Sequence, residues 1–397
     1  MKTKAGLISL AGLLIALVLI QVFTPHSAVG KGRPPKRTPT PTPTVGPHAV
    51  AVSAGSRYSC AVLSNGTMKC WGANDYGQLG DMTTINSSIP VQVEGITNSI
   101  GVSAGGFHTC ARLTGGTVKC WGRNLFGELG NGTTIGSTTP ASVTGVTNAV
   151  AVSAGVSHTC AVLSDGGVKC WGHNVVGQLG DGTTSDSSIP VSVSGITTAV
   201  GVSAGTLHTC AVLSDGTARC WGDNFSGQLG NGTTIPSTTP VSVTAIANAV
   251  AVSTGSNHSC AALSDGMVKC WGGNGYGQLG NGTTSQSTPS PVSVSGIGNA
   301  GNVDAGADHT CAMLSVGAVE CWGQGYYGQL GNGTTSDSSV PVSVSGIATA
   351  VGASAGAQHS CAVLSDGTAR CWGRNFFGEL GNGTTTDSSI PVGVIGL

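Results

Sequence analysis

From residue 49 to the C-terminus, apolar residues come in runs of five or six, each cut off by glycine, asparagine or aspartate. In the first stretch the runs are 49–54, 58–63, 67–71 and 90–94. Short runs rich in Val, Ala and Thr and bounded by turn residues predict strands. No stretch holds the 3.6-residue spacing of an amphipathic helix. The same four-run pattern then recurs, with tryptophan at 71, 121, 171, 221, 271, 322 and 372, a period of 50 lengthened once to 51. Seven units follow: 49–98, 99–148, 149–198, 199–248, 249–299, 300–349 and 350–397. Four strands repeated seven times predict an all-β chain folded as a seven-bladed β-propeller. A parallel β-helix is the rival, but its rungs are shorter and lack the hairpin described next.

Between Cys60 and Cys70 lies Ser64-Asn65-Gly66, and Ser-Asp-Gly takes its place in four later units. A three-residue loop with glycine in the left-handed position closes a type I turn plus bulge, so Leu63 faces Thr67, Val62 faces Met68 and Cys60 faces Cys70. That count makes the cysteines a non-hydrogen-bonded cross-strand pair, about 4.5 Å apart at Cα and within disulfide reach. The spacing recurs for Cys110 and Cys120, Cys160 and Cys170, Cys210 and Cys220, Cys260 and Cys270, Cys311 and Cys321, and Cys361 and Cys371, which uses all 14 cysteines. One disulfide per unit is expected. The alternatives are a reduced pair packed between blades, or a metal site, for which each pair lacks a second ligand pair at zinc spacing.

Ahead of the repeats, Lys2 and Lys4 precede an apolar run over 5–23 and the small residues Ala28-Val29-Gly30. Residues 1–30 therefore read as an export signal, or as an uncleaved membrane anchor. Residues 31–48 read as an extended Pro/Thr-rich tether. The chain is expected to be secreted or held at the cell surface. Net charge, -1 overall, divides into +6 over residues 1–48 and -7 over the repeats, counting Lys, Arg, Asp and Glu. A body of that sign disfavours nucleic acid and anionic membrane surfaces. Contact with a membrane is expected only through the N-terminal segment, and the protein is expected to be a monomer.

The units read Gly-x-x-His-Thr-Cys-Ala-x-Leu and then Trp-Gly-x-Asn-x-x-Gly-[Gln/Glu]-Leu-Gly, with Gly325 in place of Asn in the sixth. This resembles the repeat of the regulator-of-chromosome-condensation family over essentially all of residues 49–397. The resemblance implies a closed seven-bladed propeller. It also implies a range of activities, from guanine-nucleotide exchange on a small GTPase by a nuclear member to inhibition of β-lactamase by an exported one. The exchange activity goes with a loop inserted in one blade, whereas no unit here exceeds 51 residues.

No nucleophile elbow, zinc-binding helix or phosphate-cradling loop is present, so no catalytic, metal or cofactor residue is assigned. The repeated histidine at 108, 158, 208, 258, 309 and 359, replaced by Tyr58 in the first unit, reads as a side chain bonded to backbone beside the next blade. The tryptophans read as filler between blades. Repeats keep the scaffold constant while loops on one face vary, so candidate binding residues come from the variable slots of Trp-Gly-x-Asn-x-x-Gly. These are Tyr76, Arg123, Phe126, His173, Asp223, Phe225, Tyr276, Tyr326, Tyr327, Arg374, Phe376 and Phe377. If this loop faces solvent, its rings and arginines are anchors for a protein or an envelope polysaccharide; if the rings tuck between blades, they are core. The reading is a non-catalytic binding propeller, with inhibition of a secreted enzyme such as a β-lactamase as the alternative and an exchange factor-like regulator as a third.

Overall fold

A strand with both faces covered reads as continuously apolar, and Tyr58–Leu63 is buried along its whole length. The computed structural model describes residues 46–285 and 287–397; the export and tether expectations for residues 1–45 lie outside them. Blade 1 is an antiparallel meander of β1 (Ala49–Ala54), β2 (Tyr58–Leu63), β3 (Met68–Gly72) and β4 (Ser87–Gln92). Six further four-stranded sheets repeat that order, each contiguous in sequence, which makes the expected seven-bladed all-β propeller. First strands line the axis, where their ends and the connections after them surround a cavity of about 180 Å³.

The hairpin register is the one the turn demands: Cys60 faces Cys70, Val62 faces Met68, and Gly66 sits at φ +81°. The expected disulfide is present in every blade. Cys60 is bonded to Cys70, Cys110 to Cys120, Cys160 to Cys170, Cys210 to Cys220, Cys260 to Cys270, Cys311 to Cys321 and Cys361 to Cys371, with Cα separations of 4.0–4.1 Å. Seven disulfides are the chemistry of an oxidising compartment. The fourth strand starts earlier than the run 90–94 suggests, at Ser87, and ends at Gln92. Pro90 need not open the strand because β4 pairs on one side alone, so the missing N–H faces no neighbour. Proline at the equivalent place in every blade also blunts the outer edges against pairing with another sheet.

The core lies between blades. Cys60, Val62, Met68, Cys70 and Leu79 of blade 1 pack against Ala104, Ala111, Leu113 and Trp121 of blade 2. Each disulfide thus abuts the next blade's alanine and tryptophan, and the pattern continues through the seam, where Cys361 and Cys371 meet Ala61 and Trp71. Tryptophan does more than fill space. Trp121 Nε1 donates to the Gln78 carbonyl at 2.9 Å, which also accepts Thr109 Oγ1 at 2.8 Å. At the seam Trp71 Nε1 and Ser59 Oγ donate to the Glu379 carbonyl. Gly80, at φ +73°, is required beneath that ring, since a Cβ there would lie 2.6 Å from Trp121 Nε1.

Because Thr159 spends its hydroxyl proton on the Glu128 carbonyl, the 2.8 Å contact between His108 Nε2 and Thr159 Oγ1 has the imidazole as donor. The histidines therefore bind a hydroxyl of the next blade and not backbone, and Nδ1 has no hydrogen-bond partner among the described residues in any of the six. In blade 1, Tyr58 spans the same gap, donating to the His108 carbonyl at 2.5 Å with its hydroxyl 3.0 Å from Thr109 Oγ1. Trp171 Nε1 donates to the Glu128 carbonyl at 2.8 Å, so Trp171→Ala should lower stability by about 3–5 kcal/mol, and Trp171→Phe by about 1 kcal/mol through loss of that bond. Urea titration of the two variants checks the ratio.

Candidate functional site

The connections after the first and third strands emerge on the same face as the axial cavity, because an antiparallel meander returns to it twice per blade. The long connection is organised by the asparagine of Trp-Gly-x-Asn. Asn74, fully buried, accepts from Leu79 N at 2.9 Å through Oδ1 and donates through Nδ2 to the Thr83 and Ile85 carbonyls. Five blades repeat the Leu N contact at Asn124, Asn174, Asn224, Asn274 and Asn375. In the sixth, the Ser336 carbonyl occupies the space a side chain at Gly325 would need.

This knot sorts the variable slots by exposure. The first slot is held down by the residue five places on. Arg123 Nε donates to Glu128 Oε1 at 3.0 Å, Gln228 Nε2 to Asp223 Oδ2 at 2.7 Å, and Gln178 Nε2 to His173 Nδ1 at 3.2 Å. Arg374 instead donates to Gln358 Oε1, and burial pushes the neighbouring Glu379 carboxyl up to about 7. The second slot points outward: Phe225, Tyr326 and Phe376 are 74%, 69% and 65% exposed. Third-slot rings vary, with Tyr76 and Tyr276 exposed and Phe126, Tyr327 and Phe377 half-buried. Asp223 is buried.

A second variable position lies in the short connection just before the repeated histidine, outside the slots that the sequence pattern singles out. Arg57, Phe107, Ser157 and Gln358 occupy it in blades 1, 2, 3 and 7; the first three reach the long connection of the preceding blade, and Gln358 holds Arg374 of its own. Phe107 packs edge-on against Tyr76 of the preceding blade at 5.4 Å, under the Arg123 guanidinium at 4.6 Å. Arg123 also donates to Ser157 Oγ, and Phe126 meets His173 at 4.3 Å. Across the seam, Arg57 lies 5.4 Å over Phe377, which abuts Phe376. Arg374 then sits 5.2 Å over Tyr327, which abuts Tyr326. Two chains of rings and guanidinium groups, 326 to 57 and 76 to 173, thus each have one end in blade 1. Phe225 and Tyr276 stand apart in blades 4 and 5. Among the described residues no group of three or more His, Cys, Asp or Glu side chains is arranged to hold a metal.

An RCC1-like domain model matches residues 146–396. The chain belongs to the regulator of chromosome condensation family. Models of the RCC1 repeat also match residues 65–112 and 115–162. Human E3 ubiquitin-protein ligase HERC2 is 37% identical over 51 residues, 13% of this chain and 1% of that protein. In fold, this RCC1-like propeller is similar to human WBSCR16, with TM-score 0.75, 22% identity and coverage of 83% of this chain and 94% of that one. It is similar also to yeast RCC1 (Prp20), solved bound to Kap60, with TM-score 0.74, 20% identity and coverage of 92% and 91%. A third likeness is the ectodomain of the Arabidopsis thaliana receptor kinase ACR4, with TM-score 0.51, 20% identity and coverage of 87% and 98%.

Proposed function

We propose that this protein is an exported, non-catalytic binding propeller that takes a protein or envelope polymer on its loop face. The observation that carries the reading is the arc of exposed rings and stacked arginines from blade 6 through the seam to blade 3, set in blades 7, 1, 2 and 3 on connections that buried asparagines hold by hydrogen bonds. Aromatic side chains and arginine are the residues that dominate the centres of protein interfaces. Pre-ordering them removes much of the conformational cost of binding. Solved propellers of this fold support the choice of a protein: yeast RCC1 (Prp20) is described bound to Kap60, and with binding properties to Gsp1p and histones. The seven disulfides support export, since thiols paired in every blade would be reduced in the cytosol. Guanine-nucleotide exchange is not proposed, because no repeat carries the inserted loop with which that activity goes.

Alanine at Tyr326, Tyr327, Phe376 and Phe377 together should reduce capture of the partner from envelope and secreted fractions about a hundredfold or more. The variant should still melt cooperatively as a folded protein, because Tyr326 and Phe376 are mostly exposed and Tyr327 and Phe377 are half-buried in surface loops outside the core between blades. Unchanged capture would remove the site. Parallel assays of secreted hydrolases, β-lactamase included, separate a simple binder from an inhibitor: a rate that falls in proportion to bound propeller places it among inhibitors.

A further inference from the structure

Inside the arc, the ring of serines at the axial mouth carries one departure from the repeat. Six blades place a serine there, from Ser53 to Ser354, and each oxygen accepts the backbone N–H of the next blade's strand at 2.9–3.1 Å. Blade 6 places Asp304 in the ring, accepting from Ala355 N at 2.9 Å and from Ser253 Oγ at 2.8 Å. Both donors are neutral. No Lys, Arg or His lines the cavity, and Asp304 is its one ionisable group. The ion pair among the described residues, Arg123 with Glu128, lies in the long connection of blade 2. A carboxylate held in a narrow mouth with no counter-ion is electrostatically incomplete. Its burial, the main cause, holds the Asp304 carboxyl above its ordinary range.

The surrounding face has the same bias. Over the connections after the first and third strands there are three arginines against ten carboxylates. Each arginine is already stacked on a ring, and Arg123 and Arg374 are hydrogen-bonded as well. Exposed rings favour cations over their faces. The cavity of about 180 Å³ is several times the ~30 Å³ share of one water in the liquid, so an alkylammonium or guanidinium end fits. Each serine oxygen keeps a lone pair for such a donor, and so does each oxygen of Asp304.

We propose that the axial mouth seats a lysine or arginine side chain of a basic polypeptide bound on the loop face, with Asp304 as its counter-ion. This rests on the loop-face reading above, and the test separates the two. Poly-L-lysine, with poly-L-glutamate as its opposite, is titrated against the purified protein and three variants. Asp304→Ser restores the residue of the other six blades and keeps an acceptor for Ala355 N, so the fold is retained. Asp75→Ser removes the same charge from an exposed position on the same face. The third is the four-ring alanine variant.

The expected result is tight poly-L-lysine binding, weakened at least about tenfold by Asp304→Ser and less than twofold by Asp75→Ser. No binding of poly-L-glutamate is expected. Equal losses from Asp304→Ser and Asp75→Ser, or no loss from either, overturn the seat in the mouth while leaving the face reading intact if the four-ring variant still abolishes binding. Binding of poly-L-glutamate as tight as that of poly-L-lysine overturns the preference for a basic partner. Binding indifferent to the four-ring variant but sensitive to Asp304→Ser removes the arc and keeps the mouth.

Discussion

Lowering the pH from 7 to about 4.5 should move the urea midpoint of the propeller sharply downward. Six buried histidines enter the fold without protons. Burial is the main cause: it pushes His108, His158, His208 and His309 down to about 3, and His258 and His359 to about 4, from an ordinary 6.5. The Arg123 guanidinium adds to the effect at His108. In the unfolded chain the same groups bind protons as pH falls through about 6.5. The unfolded state thus holds more protons between that pH and about 4, and stability present above 6.5 is lost on the way down. Three carboxyls work in the other direction, since burial raises Asp304 and Asp308 and brings Glu379 to about 7. Six lowered histidines outnumber three raised carboxyls, so the unfolded state still holds the excess of protons near pH 5 and stability falls as pH is lowered there. His208→Gln keeps a donor for Ser259 Oγ and should flatten the slope by about one proton. A midpoint that does not change between the two pH values would sink the account.

Reduction should unfold the protein. Each disulfide closes a hairpin of ten-residue separation and contributes about 3 kcal/mol by constraining the unfolded chain. Seven such contributions together exceed the 5–15 kcal/mol net stability of an ordinary domain. The sulfurs belong to residues at most 2% exposed, so reduction has to be carried out in denaturant and refolding attempted under reductant. All seven tryptophans are fully buried, which makes fluorescence the readout. Oxidised protein should recover blue-shifted emission on dilution, and reduced protein should stay red-shifted. A reduced chain that regains the native spectrum and a cooperative melt would show that packing between blades suffices by itself.

The blade count, the hairpin register and the cysteine partners are legible in the sequence, because each depends on spacing within about a dozen residues. Strand alternation and a three-residue turn leave Cys60 facing Cys70 and nothing else. The start of the fourth strand is not legible, since Pro90 is a strand breaker in the middle of a sheet and harmless at its rim, and position in the sheet is a tertiary property. The histidines read from sequence as bonded to backbone; their partner is a hydroxyl about fifty residues away on another blade, which no local pattern names. Residues 57, 107, 157 and 358 escape a sequence reading for the same kind of reason. A signal exists, in the changing residue immediately before each repeated histidine, but its meaning comes from the long connections that fold over it.

What the sequence determined by itself is the blade, a unit whose contacts are short-range and whose repeat makes each reading check the next. What only the tertiary structure decided is the ring: which slots of the loops point outward, that two separate connections build one arc, and that the single Asp304 among six serines stands at the axis. These follow from how seven sheets pack around a common centre. That packing brings together residues fifty or three hundred positions apart, as in the bond from Ala54 N to Ser354 Oγ at 3.1 Å, and period and turn chemistry are silent over such distances.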